Sequence, residues 1–219
     1  EVRLDAHVQQ SRHRAGRIIG VQGGEHEVAG QRGLDRDANP QMWETGIKEI
    51  WEIPEARGKE LQGQVIHTAL HPLGLKGYGG GWIYGQKDNK LSIGFVVGLD
   101  HKDAKLDPHA LFVEWKQHPA LAKLLEGGKV VRYGAKTIPG GGWFSLPKLH
   151  GDGFVLVGDC AGFVDMARLK GIHLSMKSGM VAAEALIDAL IADDTSDAKL
   201  ARYRELVEQS WIREELWPV

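Results

Sequence analysis

Cysteine is nearly missing from this chain. Cys160 is the only one in 219 residues. An internal disulfide is therefore excluded, and so is any metal or iron–sulfur site built from several cysteines of this chain. An excess of one charge is missing too. The 27 Lys and Arg stand against 29 Asp and Glu, a formal net charge of -2. Such a balance gives no whole-chain attraction to nucleic acid, which is not an expected partner. No apolar run approaches the ~18 residues of a membrane-spanning helix, and the start of the chain shows no secretory pattern. His67, His71, His101, His109, His118 and His150 share no metal-ligand spacing on one helix face, so they read as structural or surface residues and no metal site is assigned. The chain opens on Glu1 rather than Met, which suggests a fragment.

Glycine, in contrast, is plentiful. There are 29, many in clusters. Clustered glycine marks tight turns or backbone that approaches a ligand. Residues 1–33 are polar and without a persistent period, so they read as irregular, with one short strand at Arg17–Val21. From Thr45 to Pro54 apolar and polar residues alternate, which predicts a strand; Gln64–Leu70 is a second. Gly81–Tyr84 and Leu91–Gly98 form a hairpin around the polar turn Gln86–Lys90. Pro108–Gln117 is a helix with Asp107 as N-cap, Pro119–Leu125 is another, and Gly127-Gly128 stops it. Val130–Ile138 is a further strand. A buried strand at Phe154–Val157 leads to a helix reaching about Ile191, apolar nearly all round and so expected to be buried on most sides. One amphipathic helix, Ala198–Leu216, closes the chain. The order predicts an α+β fold: a mostly antiparallel sheet domain at 34–133, then, at 134–219, part of a nucleotide-binding α/β domain.

The segment from Phe154 to Gly179 carries the most chemistry. A strand ends on Gly158-Asp159, glycines follow, and then a helix begins. Asp159 can accept a hydrogen bond from a ribitol or ribose hydroxyl, and the free N–H groups of the helix start can face a flavin ring or a pyrophosphate. An ordinary strand-to-helix connection, with glycines for tight turning, is the alternative reading of the same residues. Cys160, in a small-residue turn, reads as a buried inert thiol.

Several segments, in their joint order, resemble one family. They are Gly46-Ile47-Lys48-Glu49-Ile50-Trp51, His67-Thr68 with Pro72-Leu73, and Tyr78-Gly79-Gly80-Gly81-Trp82-Ile83-Tyr84. Then come Gly94 to Asp100, Trp115-Lys116-Gln117-His118-Pro119, Leu125 to Lys129, Tyr133-Gly134-Ala135, Ser145 to Leu149, and Lys170 to His173 running into Met176 to Gly179. From about Leu34 to Val219 the chain is similar to the electron transfer flavoprotein–ubiquinone oxidoreductases and the wider group that includes the flavoprotein FixC. The resemblance implies an enzyme with FAD and a 4Fe–4S cluster that takes electrons from reduced electron transfer flavoprotein and passes them to ubiquinone. It implies contact with a membrane surface, at the bacterial inner membrane on its cytoplasmic face or at the mitochondrial inner membrane.

The same resemblance assigns Gly158, Asp159, Lys170, Gly171 and His173 to the flavin, and Tyr78, Gly79 and Gly80 to the quinone. The bland readings are a glycine bulge in a sheet for Gly79-Gly80 and a hydrogen-bonding helix-start residue for His173. Trp43, Trp51, Trp82, Trp115 and Trp143 could line a quinone or membrane surface, though singly most read as core. No Ser, Cys or His nucleophile is expected, since the flavin does the electron chemistry. The chain departs from the pattern in places. It has no strand followed by GxGxxG and no cluster cysteines, and its first 33 residues do not resemble the family. Asp165, Ala167 and Ile172 stand where Asn, Pro and a hydroxyl residue are expected. The expectation is a fragment inactive by itself. Two rivals remain: another FAD-dependent oxidoreductase of the superfamily, of geranylgeranyl reductase or monooxygenase type, and a non-catalytic quinone- or lipid-binding module.

Overall fold

The computed structural model describes residues 33–75 and 77–219. The irregular segment expected at 1–33, with its short strand, lies outside the described residues apart from Gly33. The fold is α+β, in two compact units, Trp43–Ile138 and residues 139–219 with 33–42. The sheet unit thus starts at Trp43 rather than Leu34. Residues 34–42 bond instead to the other unit's backbone: Lys148 N–H to the Leu34 carbonyl, Asn39 N–H to that of Phe144, and Gly140 N–H to that of Met42. The unit ends at Ile138 rather than Tyr133 because the last strand stays extended through Pro139.

In the sheet unit, β1 (Trp43–Glu52), β2 (Val65–Thr68), β3 (Gly79–Gly85), β4 (Lys90–Gly98) and β5 (Lys129–Pro139) lie in the order β2-β3-β4-β1-β5. The pairs β2–β3, β3–β4 and β4–β1 are antiparallel. The β3–β4 hairpin turns on Asp88 and Asn89, both at positive φ, a mirror-image turn that matches the strands' twist. Helices α1 (Glu55–Leu61), α2 (Pro108–Gln117) and α3 (Pro119–Leu125) complete the unit. The α2 and α3 bounds are those the sequence predicts. The Asp107 carboxylate accepts from the His109 N–H at 2.8 Å, and proline opens each helix. No period announces α1, because Leu61 is its only large buried apolar residue.

Alternation gives the sheet two unlike faces. Leu91, Ile93, Phe95 and Val97 of β4 are buried in one core with Phe112 and Trp115 of α2. Each such side chain, fully buried, contributes roughly 1.5–3 kcal/mol. Trp115 anchors the helix further by donating Nε1–H to Thr68 Oγ1 at 2.9 Å. On the same face Lys116 meets Glu49 at 2.8 Å and lies over the Phe112 ring. Ser92, Gly94, Val96 and Gly98 alternate onto the opposite face, where Val96 is half-buried and the other three are buried.

In the second unit, β6 (His150–Gly151) and β7 (Phe154–Val155) form a small antiparallel pair. The strand expected at Phe154–Val157 pairs only over its first two residues, though Leu156 adds one backbone bond to Leu149 and Val157 stays extended. Helix α4 (Ile172–Ile191) follows a tight turn, then α5 (Asp197–Gln209) and α6 (Trp211–Leu216). The single closing helix expected from Ala198 to Leu216 is broken at Ser210. Its extended backbone ends α5, and its hydroxyl accepts from the Ile212 N–H that starts α6. A second correction concerns α4. Leu174, Ser178, Val181, Ala182, Ala185 and Ala189 are buried, but Met176, Met180, Ile187 and Ile191 are exposed. The helix is apolar nearly all round, and the described residues cover one face of it.

Candidate functional site

The acid-tipped turn forms as the sequence predicts, and more of it converges than the motif suggests. After Val157 the chain enters a 3-10 turn at Gly158–Ala161. Gly158 sits at φ 72° and donates its N–H to Ser178 Oγ at 2.9 Å. Asp159 is exposed, and its Oδ1 accepts from Ser175 Oγ at 2.6 Å. The two serines lie one helical turn apart on α4 and hold the turn against the start of that helix. Gly171, the N-cap, offers no capping side chain, so the first-turn N–H groups keep no side-chain acceptor. A Cβ on Gly171 would stand 3.0 Å from Asp159 Oδ1, so a side chain there would press on the carboxylate. Gly158, Asp159 and Gly171 therefore come together as one cradle: an exposed acceptor beside a bare helix N-terminus. Ser175 and Ser178 complete it. Their spacing of three was the only signal for them in the sequence.

Lys170 and His173 serve other contacts. Lys170 exchanges both backbone hydrogen bonds with Asp165, closing a short loop beside the cradle, and is exposed. Asp165 is fully buried and paired to Arg168 at 2.6 Å. His173 Nε2 meets Glu215 at 2.6 Å, and its ring stacks on Trp211 at an interplanar angle of 6°. The imidazole thus ties the start of α4 to α6, a structural engagement sequence spacing does not reveal. The Cys160 thiol donates to the Val157 carbonyl.

In the sheet unit, Tyr78 immediately precedes β3, and Gly79 and Gly80 are its first two residues. Gly98 N–H bonds the Tyr78 carbonyl at 2.9 Å. A Cβ on Gly79 would stand 2.1 Å from the Val96 carbonyl oxygen, and one on Gly80 would stand 2.3 Å from that of Thr68. Backbone crowding therefore demands glycine at both places, whatever binds nearby. Tyr78 is 41% exposed, with Leu70 at 57% and Leu75 at 92% in the preceding loop. On the sheet face opposite the core formed with α2, a cavity of about 480 Å³ is lined by Gly46, Lys48, Trp82, Arg132, Tyr133 and Lys136, among others. Of the tryptophans, Trp115 and Trp143 are core; Trp82 lines this cavity.

One residue escaped the sequence reading. Glu44 is 0% exposed, and neither carboxylate oxygen has a hydrogen-bond partner among the described residues. Burial first, and then the Asp100 charge, push its pKa up to about 7. A lone Glu in an alternating strand gives no sign of this in sequence.

Comparison with known proteins falls on the same divisions. Residues 43–138, the bounds of the sheet unit, match the family model described as "ETF-QO, ubiquinone-binding". The chain belongs to the electron transfer flavoprotein–ubiquinone oxidoreductase family. It is 38% identical over 200 residues to a probable electron transfer flavoprotein–ubiquinone oxidoreductase of Acinetobacter baylyi, covering 84% of this chain and 35% of that protein. It is 42% identical over 177 residues to the mitochondrial enzyme of Oryza sativa, covering 81% and 30%. The chain spans about a third of the length of these electron transfer flavoprotein–ubiquinone oxidoreductases. Among solved structures, a geranylgeranyl bacteriochlorophyll reductase-like protein of Thermoplasma acidophilum shares the fold at a TM-score of 0.66 and 16% identity, over 94% of this chain and 54% of that one. A variant of the halogenase PltM, in complex with FAD, has a TM-score of 0.59 at 13% identity, over 93% and 46%. Among the described residues no group of three or more His, Cys, Asp or Glu side chains could hold a metal ion, and no helix is long and apolar enough to cross a membrane.

Proposed function

We propose that this chain carries the quinone-binding unit and part of the flavin site of an enzyme that passes electrons from reduced electron transfer flavoprotein, through FAD, to ubiquinone. One observation carries the reading: the compact sheet unit and the ubiquinone-binding family match share the bounds 43 and 138. The cradle at Gly158, Asp159 and Gly171 fits FAD by its chemistry. An exposed carboxylate suits a ribityl hydroxyl, and an uncapped helix start suits the electron-rich edge of a flavin ring. Bound there, FAD would supply the electron chemistry, while these residues hold and orient it. Lys170 would reach it through its backbone segment. His173, engaged by Glu215 and Trp211, would act by fixing the helix start. A 4Fe–4S cluster needs several cysteine ligands, and this chain holds one cysteine, Cys160.

Ubiquinone is an apolar ring on an isoprenoid tail, and it resides in lipid. Exposed Leu70, Leu75 and Tyr78, beside Gly79 and Gly80, suit both that ligand and contact with a membrane surface, and support a membrane-associated location. The reductase-like and halogenase relationships, at 16% and 13% identity, concern the fold alone and favour neither rival activity. The test is direct binding to the purified chain. Ubiquinone-1 is titrated while tryptophan fluorescence is followed, and FAD is titrated while its 450 nm absorbance and flavin emission are followed. Saturable quinone binding is expected, with no steady-state turnover by the chain alone. Absence of saturable quinone binding at every pH from 5.5 to 8.5 would overturn the reading.

A further inference from the structure

Strand alternation builds the cavity on the sheet face opposite α2. Gly46 and Lys48 are alternate residues of β1, and Arg132, Gly134 and Lys136 are alternate residues of β5. A Cβ on Gly46 would stand 3.6 Å from Ile138 Cδ1, and Lys129 meets Glu52 at 3.4 Å, so β5 runs against β1 and brings Lys136 beside Lys48. β5 is also the edge of the sheet, exposed from Lys129 to Thr137, which lets Tyr133 close the outer side. The opposite wall comes from two strands away. Trp82 on β3 is opposed to Gly94 on β4, and Gly94 to Lys48 on β1. Directly opposed residues share a face. Gly94 has no side chain, and a Cβ there would stand 2.1 Å from both Cζ2 and Cη2 of Trp82. The indole therefore lies across Gly94 and lines the cavity with Lys48. Tyr84 flanks it, with ring centroids 6.3 Å apart.

The cations of this cavity stand apart from others in the same unit. Lys48, Arg132 and Lys136 make no ion pair or hydrogen bond with a described residue. Lys116 and Lys129, in contrast, are paired to Glu49 and Glu52. On this face Glu52 is thus engaged, and Glu44 is sealed from solvent. Like charges gathered in one cleft repel, and an anion relieves the repulsion. The chain as a whole has a net charge of -2, so the positive field is local to the cavity.

Size and aromatic lining narrow the class of anion. A volume of about 480 Å³ is that of an organic ligand rather than a bare ion. Trp82 offers a ring on which a planar group can stack. A neutral quinone would leave every cation unneutralised. A phosphate monoester carries close to two negative charges at neutral pH, and the arginine fork suits its oxygens.

We propose that this cavity binds a mononucleotide, its phosphate held by Lys48, Arg132 and Lys136 and its base stacked on Trp82. The site borders the quinone candidate, because Gly46, Val96 and Gly80 form the next row across the sheet. It does not depend on the ubiquinone reading.

The test is calorimetric titration of the whole chain with AMP, adenosine and glycerol 3-phosphate at low salt. AMP should bind saturably, at one site, and weaken as salt is added. Adenosine lacks the charge and glycerol 3-phosphate lacks the ring, so each should bind at least about tenfold more weakly. Lys48→Gln combined with Lys136→Gln should lower AMP affinity about tenfold, and Trp82→Leu should do the same, while Trp82→Phe keeps most of it. Both lysines are exposed, so the paired variant also serves if Trp82→Leu does not fold. No saturable AMP binding would overturn the proposal, as would AMP binding that all these variants leave unchanged. Glycerol 3-phosphate binding as tightly as AMP would reduce the cavity to a phosphate or lipid-headgroup patch and overturn the nucleotide assignment. Displacement of AMP by ubiquinone-1, with quinone binding lost in Trp82→Leu, would give the cavity to the quinone, overturning this proposal and leaving the function standing.

Discussion

Replacing Glu44 by glutamine should change how stability depends on pH. In the fold the carboxyl titrates near 7, against 4.5 for an unperturbed glutamate. The sign follows from proton counting. Below about 4.5 the group is protonated in both folded and unfolded chains and contributes no pH dependence. Between 4.5 and 7 the folded protein holds a proton that the unfolded chain has released, so stability falls as pH rises. Above 7 the full penalty is present. The gap, 7 minus 4.5, corresponds to on the order of 3 kcal/mol. Glutamine carries no such penalty, since it never ionises. Urea unfolding followed by tryptophan emission, run at pH 4.5, 6 and 8, measures it. The native protein should weaken across this range relative to Glu44→Gln, by on the order of 3 kcal/mol in total. A difference between the two proteins that stays constant from pH 4.5 to pH 8 would refute the argument, because it would mean that Glu44 ionises in the fold as easily as in water.

Two further substitutions probe the scaffold that carries the candidate sites. Gly80→Ala places a methyl group 2.3 Å from the Thr68 carbonyl oxygen, so β2 must shift; a loss of about 1–3 kcal/mol in urea unfolding is expected, and a variant as stable as the native chain would contradict the crowding. Tyr203→Phe removes the buried hydroxyl that donates to the Leu156 carbonyl at 2.9 Å, just before the Gly158-Asp159 turn. It leaves that carbonyl unsatisfied at a cost of about 1–3 kcal/mol, read as a lower thermal midpoint.

Much of the scaffold was legible because its signals are local. The α2 and α3 bounds follow from a capping Asp, two prolines and a Gly-Gly stop, all within reach of a few residues. β1 followed from alternation, and the β3–β4 hairpin from the polar turn between its strands. Where a signal depends on what lies across the fold, the sequence misled. The mostly apolar α4 predicted burial on most sides, but a residue's character does not say which neighbours arrive to cover it. The break at Ser210 was hidden because its flanks, Val207 and Ile212, keep an apolar period that one long helix would also satisfy. The glycines of Tyr78-Gly79-Gly80 drew attention as a ligand edge, yet the carbonyls that require them belong to Val96 and Thr68, on neighbouring strands.

By itself, then, the order of residues determined the α+β class, the family likeness and the Gly158-Asp159 turn, since strand alternation, capping and turn chemistry act over a handful of bonds. Only the tertiary structure decided that Ser175 grips Asp159, that His173 is held by Glu215 and Trp211, and that Glu44 is sealed from water beside Asp100. Those outcomes depend on desolvation and on charges brought close by strand register and helix packing, between residues that are mostly far apart in the chain.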